Sequence, residues 1–300
     1  MPETKTQNLS QAPRSSSGTP EHVSITPQRI GFEFNEQVPR YWANNSPMLS
    51  HTMNALSVLF PKGEQFFVDS VRAYRDRVDD PKLLEEVRGF IGQEAMHSLE
   101  HTSLNQHIRD QGMPVDNMEK HLEAVLNLVR KLPARHQLAA TCALEHMTAM
   151  MANILLERDD VRDDMHESMR PLWVWHAIEE TEHKAVTFDV YQQVGGNYPE
   201  RVFYLAFSTA ALGIMTSYFA GRMMLQDRKN LSLKDTASGL WRLWGKGGVF
   251  SSLVPTWLEY FKPDFHPWDH DNSQLIGRFK DSIQAHIAPK YRKGTAPTLQ

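Results

Sequence analysis

Two stretches of this chain carry the same short pattern: FIGQEAMHSLEH at residues 90–101 and WHAIEETEHKAV at residues 175–186. Each contains a glutamate followed three residues later by a histidine, and each is preceded by a lone glutamate on an earlier helical stretch. In chain order the six residues are Glu64, Glu94, His97, Glu145, Glu180 and His183. Four carboxylates and two imidazoles from four helices are the ligand set of a dinuclear metal site inside a helical bundle.

The spacing explains why these residues can act together. Side chains on a helix are about 100° apart, so residues three apart share a face within about 60°. Two more histidines fall on the same faces: His101 lies seven residues after Glu94, and His176 lies four residues before Glu180. Burying so many ionisable groups is costly unless a metal neutralises them. Four carboxylates balance two divalent cations, so the pattern predicts two metal ions.

The individual assignments carry alternatives. His176 is interpreted as a seventh ligand; a hydrogen bond to a ligating carboxylate and a plain core histidine are the alternatives. For His101 we expect a hydrogen bond around the ligands, with direct ligation and packing as alternatives. The lone glutamates, Glu64 and Glu145, could instead form ordinary ion pairs. Glu179 lies about 100° from the face of Glu180 and is therefore interpreted as secondary to the predicted ligands of the site.

Small residues surround Glu145 at the positions three and four away on its helix. They leave room for a pocket beside the metals, although close helix packing explains them equally well. These residues are Thr141, Cys142, Thr148 and Ala149.

Helical patterns begin after Ser50 and continue with almost no strand candidate. We therefore predict an all-α fold, a ferritin-like four-helix bundle with additional C-terminal helices. Pro61 is interpreted as the first-turn proline of one helix, and Asp80 with Pro81 as the N-cap and first residue of the next. The helix carrying the second Glu-x-x-His pattern is expected to run unbroken to the glycines at 195–196.

Composition divides the chain into four predicted segments. Residues 1–30 are rich in Ser, Thr, Pro and Gln and are predicted to be a disordered tail. Residues 31–198 form the metal-binding bundle, and residues 199–290 form a helical, aromatic-rich extension, either packed on the bundle or associated with a membrane. Residues 291–300 are predicted to be a flexible tail.

Residues 202–220, VFYLAFSTAALGIMTSYFA, contain no charged residue. Their length approaches the roughly 20 residues that span a bilayer, but serines, threonines and a glycine dilute them. Burial against the bundle is favoured, with peripheral or integral membrane contact as the alternative. Trp241, Trp244 and Trp257 occur among basic residues downstream, which suits a membrane interface, the entrance of an apolar substrate or plain packing.

The formal net charge is −4, with both signs mixed along the chain, so there is no electrostatic case for a nucleic-acid partner. The single cysteine, Cys142, excludes an internal disulfide and fits a reducing compartment. The N-terminal residues contain no apolar run typical of a secretory signal. We expect a cytoplasmic protein, with membrane association as the alternative. The sequence does not decide between a monomer and a homodimer.

At these residues the chain resembles the ferritin-like di-iron proteins. GEQFF, QEAMHSLEH, ALEHMTA and WHAIEETEHKAVTFDVY more closely resemble a bacterial family called predicted metal-dependent hydrolases, over about Gly31 to Ala288. The histidine four residues before the second Glu-x-x-His is similar to di-iron arylamine N-oxygenases, which have an additional histidine ligand there. The resemblance implies one ligand set: Glu64, Glu94, His97, Glu145, His176, Glu180 and His183. The aromatic C-terminal region departs from the N-oxygenases and favours a hydrophobic substrate over an arylamine.

Mixed carboxylate and imidazole ligands suit iron or manganese, and the absence of clustered cysteines argues against a structural zinc site. The favoured function is an O2-activating oxygenase or oxidase with two iron ions, a small hydrophobic substrate and a reductase partner as electron donor. The alternative is a hydrolase in which a metal-bound hydroxide attacks an ester or related bond. His101 or Glu179 would then serve as general acid or base. A non-catalytic metal-binding bundle is the third hypothesis.

Overall fold

A computed structural model describes residues 17–288 and residue 291, and in this part of the chain the all-α prediction is confirmed: helices occur and β-strands do not. In chain order the α-helices are α1 (Pro47–Arg72), α2 (Pro81–Asp110), α3 (Val115–Val129), α4 (Ala134–Glu157), α5 (Asp159–Asp163), α6 (Arg170–His183), α7 (Val186–Gln193), α8 (Tyr198–Gln226), α9 (Leu233–Trp244), α10 (Val254–Glu259) and α11 (Ser273–Gln284).

The helices pack in pairs. α1 lies along α2, and α4 lies along α6 and α7. Each pair joins a helix with a lone glutamate to a helix with the Glu-x-x-His pattern. α8 packs across both α1 and α4, while α11 covers α6 and α9 contacts α1. The four helices that carry the predicted ligands therefore face one another in the centre of the fold.

The predicted start of α2 is confirmed, whereas the helix start predicted at Pro61 is not. Asp80 accepts hydrogen bonds from the backbone N–H groups of Lys82 and Leu83, and α2 begins at Pro81, as predicted. The prediction for Pro61 is wrong, because α1 begins much earlier, at Pro47, and Pro61 lies inside it.

The structure shows how α1 tolerates its internal proline. Pro61 has no backbone N–H, so the carbonyl of Ser57, four residues earlier, loses its helical hydrogen bond. Asn105 of α2 replaces it: its Nδ2 donates to the Ser57 carbonyl at 3.1 Å. A side chain from the neighbouring helix thus satisfies the group that the proline leaves open.

The helix predicted to reach residues 195–196 is interrupted, which corrects that prediction. α6 ends at His183 and α7 begins at Val186. Lys184 lies at the break, where its Nζ donates to the carbonyl of His270 and to Oδ1 of Asn272, each at 2.8 Å. These acceptors are distant in sequence, so the local pattern could not indicate them.

Residues 17–30, which belong to the predicted N-terminal tail, lie against the helices. The backbone N–H of Gly18 donates to Asp189 at 2.8 Å, and Ile30 is fully buried. Residues 1–16 of that predicted tail lie outside the described residues, as does the predicted flexible C-terminal tail apart from Tyr291.

α8 contains the apolar stretch 202–220. Its length and composition would suffice to cross a membrane, and 28% of its most apolar window is buried. One face, with Leu205 and Phe219, is buried, whereas Phe207 and Ile214 on the opposite face are exposed. Burial against neighbouring helices therefore describes one face of α8, and the other face is apolar and uncovered.

Close approach of the N-terminal segment depends on a glycine of α2. A Cβ at Gly89 would collide with the backbone carbonyl of Ile25. We expect Gly89→Ala to lower the free energy of unfolding by about 1–3 kcal/mol, because the backbone must shift. Gly277→Ala is the matched control: a Cβ at this helical glycine meets no atom within 4 Å, so its change should be neutral or stabilising. Chemical denaturation measures both, and equal effects would show that the segment is not held at this crossing.

Candidate metal centre

The seven predicted ligands converge from four helices, and all are buried. Glu64 comes from α1, Glu94 and His97 from α2, Glu145 from α4, and the rest from α6. They form three groups in which one donor atom per residue lies within 4.8 Å of the others. The groups are Glu64, His97 and His176; Glu94, His97 and Glu180; and Glu94, Glu145 and His183.

The distances between donor atoms suit a shared ion. His183 Nε2 lies 3.2 Å from Glu94 Oε1 and 3.5 Å from Glu145 Oε2. His97 Nδ1 lies 3.6 Å from Glu94 Oε1 and 3.5 Å from Glu180 Oε1. Ligand atoms about 2.0–2.2 Å from one ion are roughly 3 Å apart when at right angles. Glu94 Oε1 lies close to this separation from both imidazoles, at 3.2 Å from His183 Nε2 and 3.6 Å from His97 Nδ1.

Many of these donor atoms are buried and have no hydrogen-bond partner. Buried polar atoms are nearly always paired, so a cluster of unpaired ones points to a ligand that completes them. Carboxylate oxygens and imidazole nitrogens together fit iron, manganese or zinc, so the residues present fit a pair of such ions. The unpaired atoms are Glu64 Oε1, both carboxylate oxygens of Glu94 and of Glu145, both ring nitrogens of His97, Glu180 Oε2 and His183 Nε2.

The charges of the site work against one another when no metal is bound. Burial, and then the nearby Glu94 carboxylate, raise the pKa of Glu64 and of Glu145 well above the usual range. Burial lowers the pKa of His97, but the carboxylates around it outweigh this and hold its pKa well above the ordinary value. For Glu180 the effect of burial is outweighed by the nearby histidines, beginning with His183, so its pKa lies well below the ordinary value. Without metal ions the site would therefore retain protons, which binding of the ions would displace.

Polar residues behind His183 fix its orientation. His183 Nδ1 lies 2.9 Å from Gln93 Oε1, and Gln93 Nε2 donates to Glu182 Oε2 at 2.7 Å. Lys280 of α11 donates to the other oxygen of Glu182 at 2.7 Å. Because the amide nitrogen of Gln93 is committed to a carboxylate, its oxygen must accept, so the His183 proton lies on Nδ1. Nε2, which faces the carboxylates, is thereby left with a lone pair that could bind a metal.

Glu179 takes the corresponding place behind His97. Its Oε2 lies 3.0 Å from His97 Nε2, although the two atoms are not aligned as a hydrogen bond, and its Oε1 accepts from Trp175 Nε1 at 3.0 Å. Burial raises the pKa of Glu179 to about 7. Glu179 thus faces His97 Nε2, whereas Glu94 and Glu180 face His97 Nδ1.

His101 belongs to none of the three donor groups among the described residues. Its Nε2 lies 2.8 Å from His176 Nδ1, and its Nδ1 lies 2.9 Å from Ser57 Oγ. Ser57 Oγ in turn donates to Asn105 Oδ1 at 2.8 Å. Burial lowers the pKa of His101 well below its ordinary value and that of His176 to about 4, so both rings are neutral.

These hydrogen bonds have a single direction, which begins at the proline of α1. Asn105 Nδ2 is committed to the carbonyl that Pro61 leaves open, so Asn105 Oδ1 must accept from Ser57. Ser57 Oγ then accepts from His101 Nδ1, and His101 Nε2 accepts from His176 Nδ1. The remaining nitrogen, His176 Nε2, keeps its lone pair and lies 3.0 Å from Glu180 Oε1. His176 Nε2 could therefore bind a metal as a neutral imidazole.

An apolar cavity of about 100 Å³ adjoins the cluster, and His176 and Glu180 form part of its wall. Most of its other lining residues are apolar, including Phe60 and Trp173. The small residues around Glu145 contribute little to it. Thr148 alone of the four lines this cavity, whereas Thr141 and Cys142 are used in hydrogen bonds that pack α4 against α1 and α7.

Residues 26–271 match the model of a family described as predicted metal-dependent hydrolase, so the chain belongs to that family. No curated protein and no solved structure gave a match. The family description agrees with the buried carboxylate and imidazole groups in indicating dependence on a metal.

The metal-free protein is expected to become less stable as the pH rises from 6.5 to 8. The pKa values of Glu64, Glu145 and His97 are raised, so the folded chain keeps protons that the unfolded chain has released. Each such proton lowers the unfolding free energy by about 1.4 kcal/mol per pH unit. The lowered pKa values of His101 and His176 act in the opposite sense, but only below the ordinary histidine value of 6.5.

Thermal unfolding of chelator-treated protein across this window measures the effect. The metal-loaded protein is the control, since its ligands must be deprotonated and stabilisation by metal should grow with pH. A melting temperature of the metal-free protein that rises with pH would contradict the assignment.

Ser57→Ala tests the chain of hydrogen bonds that orients His176. We expect metal affinity to fall about 10- to 100-fold, because the tautomer of the ligand is no longer fixed. Ser70→Ala is the control: this serine is buried on the same helix and is hydrogen-bonded to Thr141 Oγ1 at 2.8 Å. Both variants should lose about 1–3 kcal/mol of stability, but only Ser57→Ala should weaken binding in a chelator competition assay. Equal affinities in the two variants would exclude the positioning role.

Proposed function

We propose that this protein is a dinuclear metal enzyme that acts on an apolar substrate in the cavity beside His176 and Glu180, and that its reaction is hydrolysis, as its family description suggests. The observation that carries the proposal is the set of buried, unpartnered carboxylate and imidazole atoms next to an apolar cavity. A structural ion pair network would have satisfied these atoms within the protein.

The proposed arrangement is that of a ferritin-like centre. Glu64, His97 and His176 would hold one ion, and Glu145 with His183 would hold the other. Glu94 and Glu180 would contribute to holding both ions, since each has an oxygen within 3.6 Å of both His97 Nδ1 and His183 Nε2. The ions would be iron, with manganese as the alternative.

When bound, two such ions supply Lewis acidity and activate water as a nucleophile at neutral pH. The residues of the chain supply binding and orientation. The apolar cavity wall binds the hydrocarbon part of the substrate and excludes bulk water. The Trp173 Nε1–H lies buried without a partner in this wall, so it is available to donate to an oxygen of the substrate.

His101 and Glu179 have different places in this proposal from the general acid or base roles considered for them above. Neither lines the apolar cavity among the described residues. His101 reaches it only through His176, and Glu179 lies behind His97. Both are therefore proposed as positioning residues for the imidazoles.

Oxidation by O2 is the second candidate, favoured by the four carboxylates in the cluster and by the apolar cavity wall. Iron would then supply the redox chemistry. One oxygen atom would enter the substrate and the other would leave as water, which takes up two electrons and two protons. An external reductase partner would have to supply the electrons.

One experiment separates the two reactions. Protein loaded with zinc or manganese should hydrolyse p-nitrophenyl acyl esters without consuming O2, and Glu145→Ala should lower this activity by about 100-fold or more. Iron-loaded protein with a chemical reductant is assayed for O2 uptake in parallel. Uptake of O2 without ester hydrolysis would replace hydrolysis by oxidation, and inactivity of all preparations would leave a metal-binding protein without catalysis.

A further inference from the structure

A second, larger cavity of about 390 Å³ lies between α1, α4, α8, α9 and α10. No charged residue lines it in the described part of the chain. Its wall is rich in methionine, whose flexible side chain adapts to ligands of different shape. The methionines are Met48, Met147, Met150, Met151 and Met224.

The two cavities are neighbours. Four residues line both of them: Leu56, Met151, Leu243 and Phe250. All four are apolar, so nothing charged separates the metal-binding side chains from the larger cavity at this boundary. A cavity of about 150 Å³ accommodates benzene, so the larger cavity holds more than a single ring.

The larger cavity reaches the surface at an apolar rim, which consists of Leu240, Trp244 and Val254. These residues line the cavity, and they are also 43%, 62% and 50% exposed. Trp241, on the same face of α9 as Trp244, is 69% exposed. A hydrocarbon chain that enters at this rim would move from water into a mostly apolar cavity.

Each cavity is lined by a residue with a buried, uncharged polar atom that lacks a partner. Thr216 lines the larger cavity, is 8% exposed, and its Oγ1 makes no hydrogen bond. Trp173 lines the smaller cavity, and its Nε1 is likewise unpartnered. Such groups are costly unless a ligand supplies an acceptor. The polar end of a ligand fits beside Trp173, because His176 and Glu180 line the same cavity.

We propose that the two cavities together bind the long hydrocarbon chain of a lipid ester, with the ester group in the smaller cavity beside His176 and Glu180 and the tail in the larger one. This inference rests on the proposed hydrolytic function and names its substrate class. In the reaction, the oxygen of water bonds to the ester carbonyl carbon, and the bond from that carbon to the alkoxy oxygen breaks. One proton of water passes to the released alcohol, so no oxidant or reductant is needed.

Binding of saturated fatty acids to the metal-loaded protein tests the site without turnover. Displacement of a fluorescent fatty acid by acids of four to sixteen carbons gives the affinities. Each added methylene should tighten binding about fourfold until the larger cavity is full. Affinity that does not change with chain length would overturn the proposal.

Substitutions that fill the larger cavity test where the hydrocarbon tail lies. A Cβ at Gly213 or Gly221 meets no atom within 4 Å, and both glycines line the larger cavity. Gly213→Leu with Gly221→Leu should weaken binding of the sixteen-carbon acid at least tenfold and leave the four-carbon acid unchanged. Gly277→Leu, at another open helical glycine away from the cavity, should change neither. Equal loss for both acids, or no loss for either, would overturn the proposal.

The same measurements separate this inference from the proposed function. Chain-length-dependent binding without ester hydrolysis would retain the lipid site and reject the hydrolase. Ester hydrolysis whose rate does not depend on chain length would retain the hydrolase and reject the lipid site. Sedimentation with phosphatidylcholine vesicles, lost in Trp241→Ser, would support a bilayer as the source of the lipid, whereas binding of dispersed acid alone would support a free amphiphile as the source.

Discussion

The burial of seven ionisable side chains in one cluster is the constraint on which the rest of this structure depends. Apolar packing of α1 with α2 and of α4 with α6 forces Glu64, Glu94, Glu145 and Glu180 together, away from water. Carboxylates that meet in this way repel one another and lose hydration, which is unfavourable unless protons or cations compensate. The helix packing and the metal requirement are therefore two sides of the same free-energy balance.

A chain of hydrogen bonds connects the proline inside α1 to the orientation of His176. A proline inside a helix normally breaks it, because a carbonyl is left without a donor. In α1 that carbonyl is bonded by Asn105, and the orientation of this amide then fixes Ser57, His101 and His176 in turn. Each group has one remaining choice of donor or acceptor. The tautomer of His176 thus follows from satisfied hydrogen bonds several residues away, while burial keeps the ring neutral.

The sequence and the structure agree where periodicity decides and diverge where distant partners decide. The order of the glutamates and Glu-x-x-His pairs identified six of the seven side chains that the structure brings together. Helical spacing placed His176 on the face of Glu180, and the family resemblance implied it as the seventh. The continuation of α1 through Pro61 depends on Asn105 of another helix, and the break after His183 coincides with acceptors near residue 270. Neither partner is visible in a local pattern. Gln93, Glu182 and Lys280 were missed for the same reason.

The surroundings of the cluster differ on its two sides, and this difference bears on how substrate and protons move. On one side lie the two apolar cavities, which reach the surface at α9 and α10. On the other side Glu179 and Glu182 line a separate surface cavity together with Lys280. Protons displaced by a metal ion or released in a reaction meet the carboxylates of Glu179 and Glu182 on this second side, whereas the walls of the two cavities are mostly apolar. An apolar ligand could therefore fill the first side completely without blocking proton exchange with water.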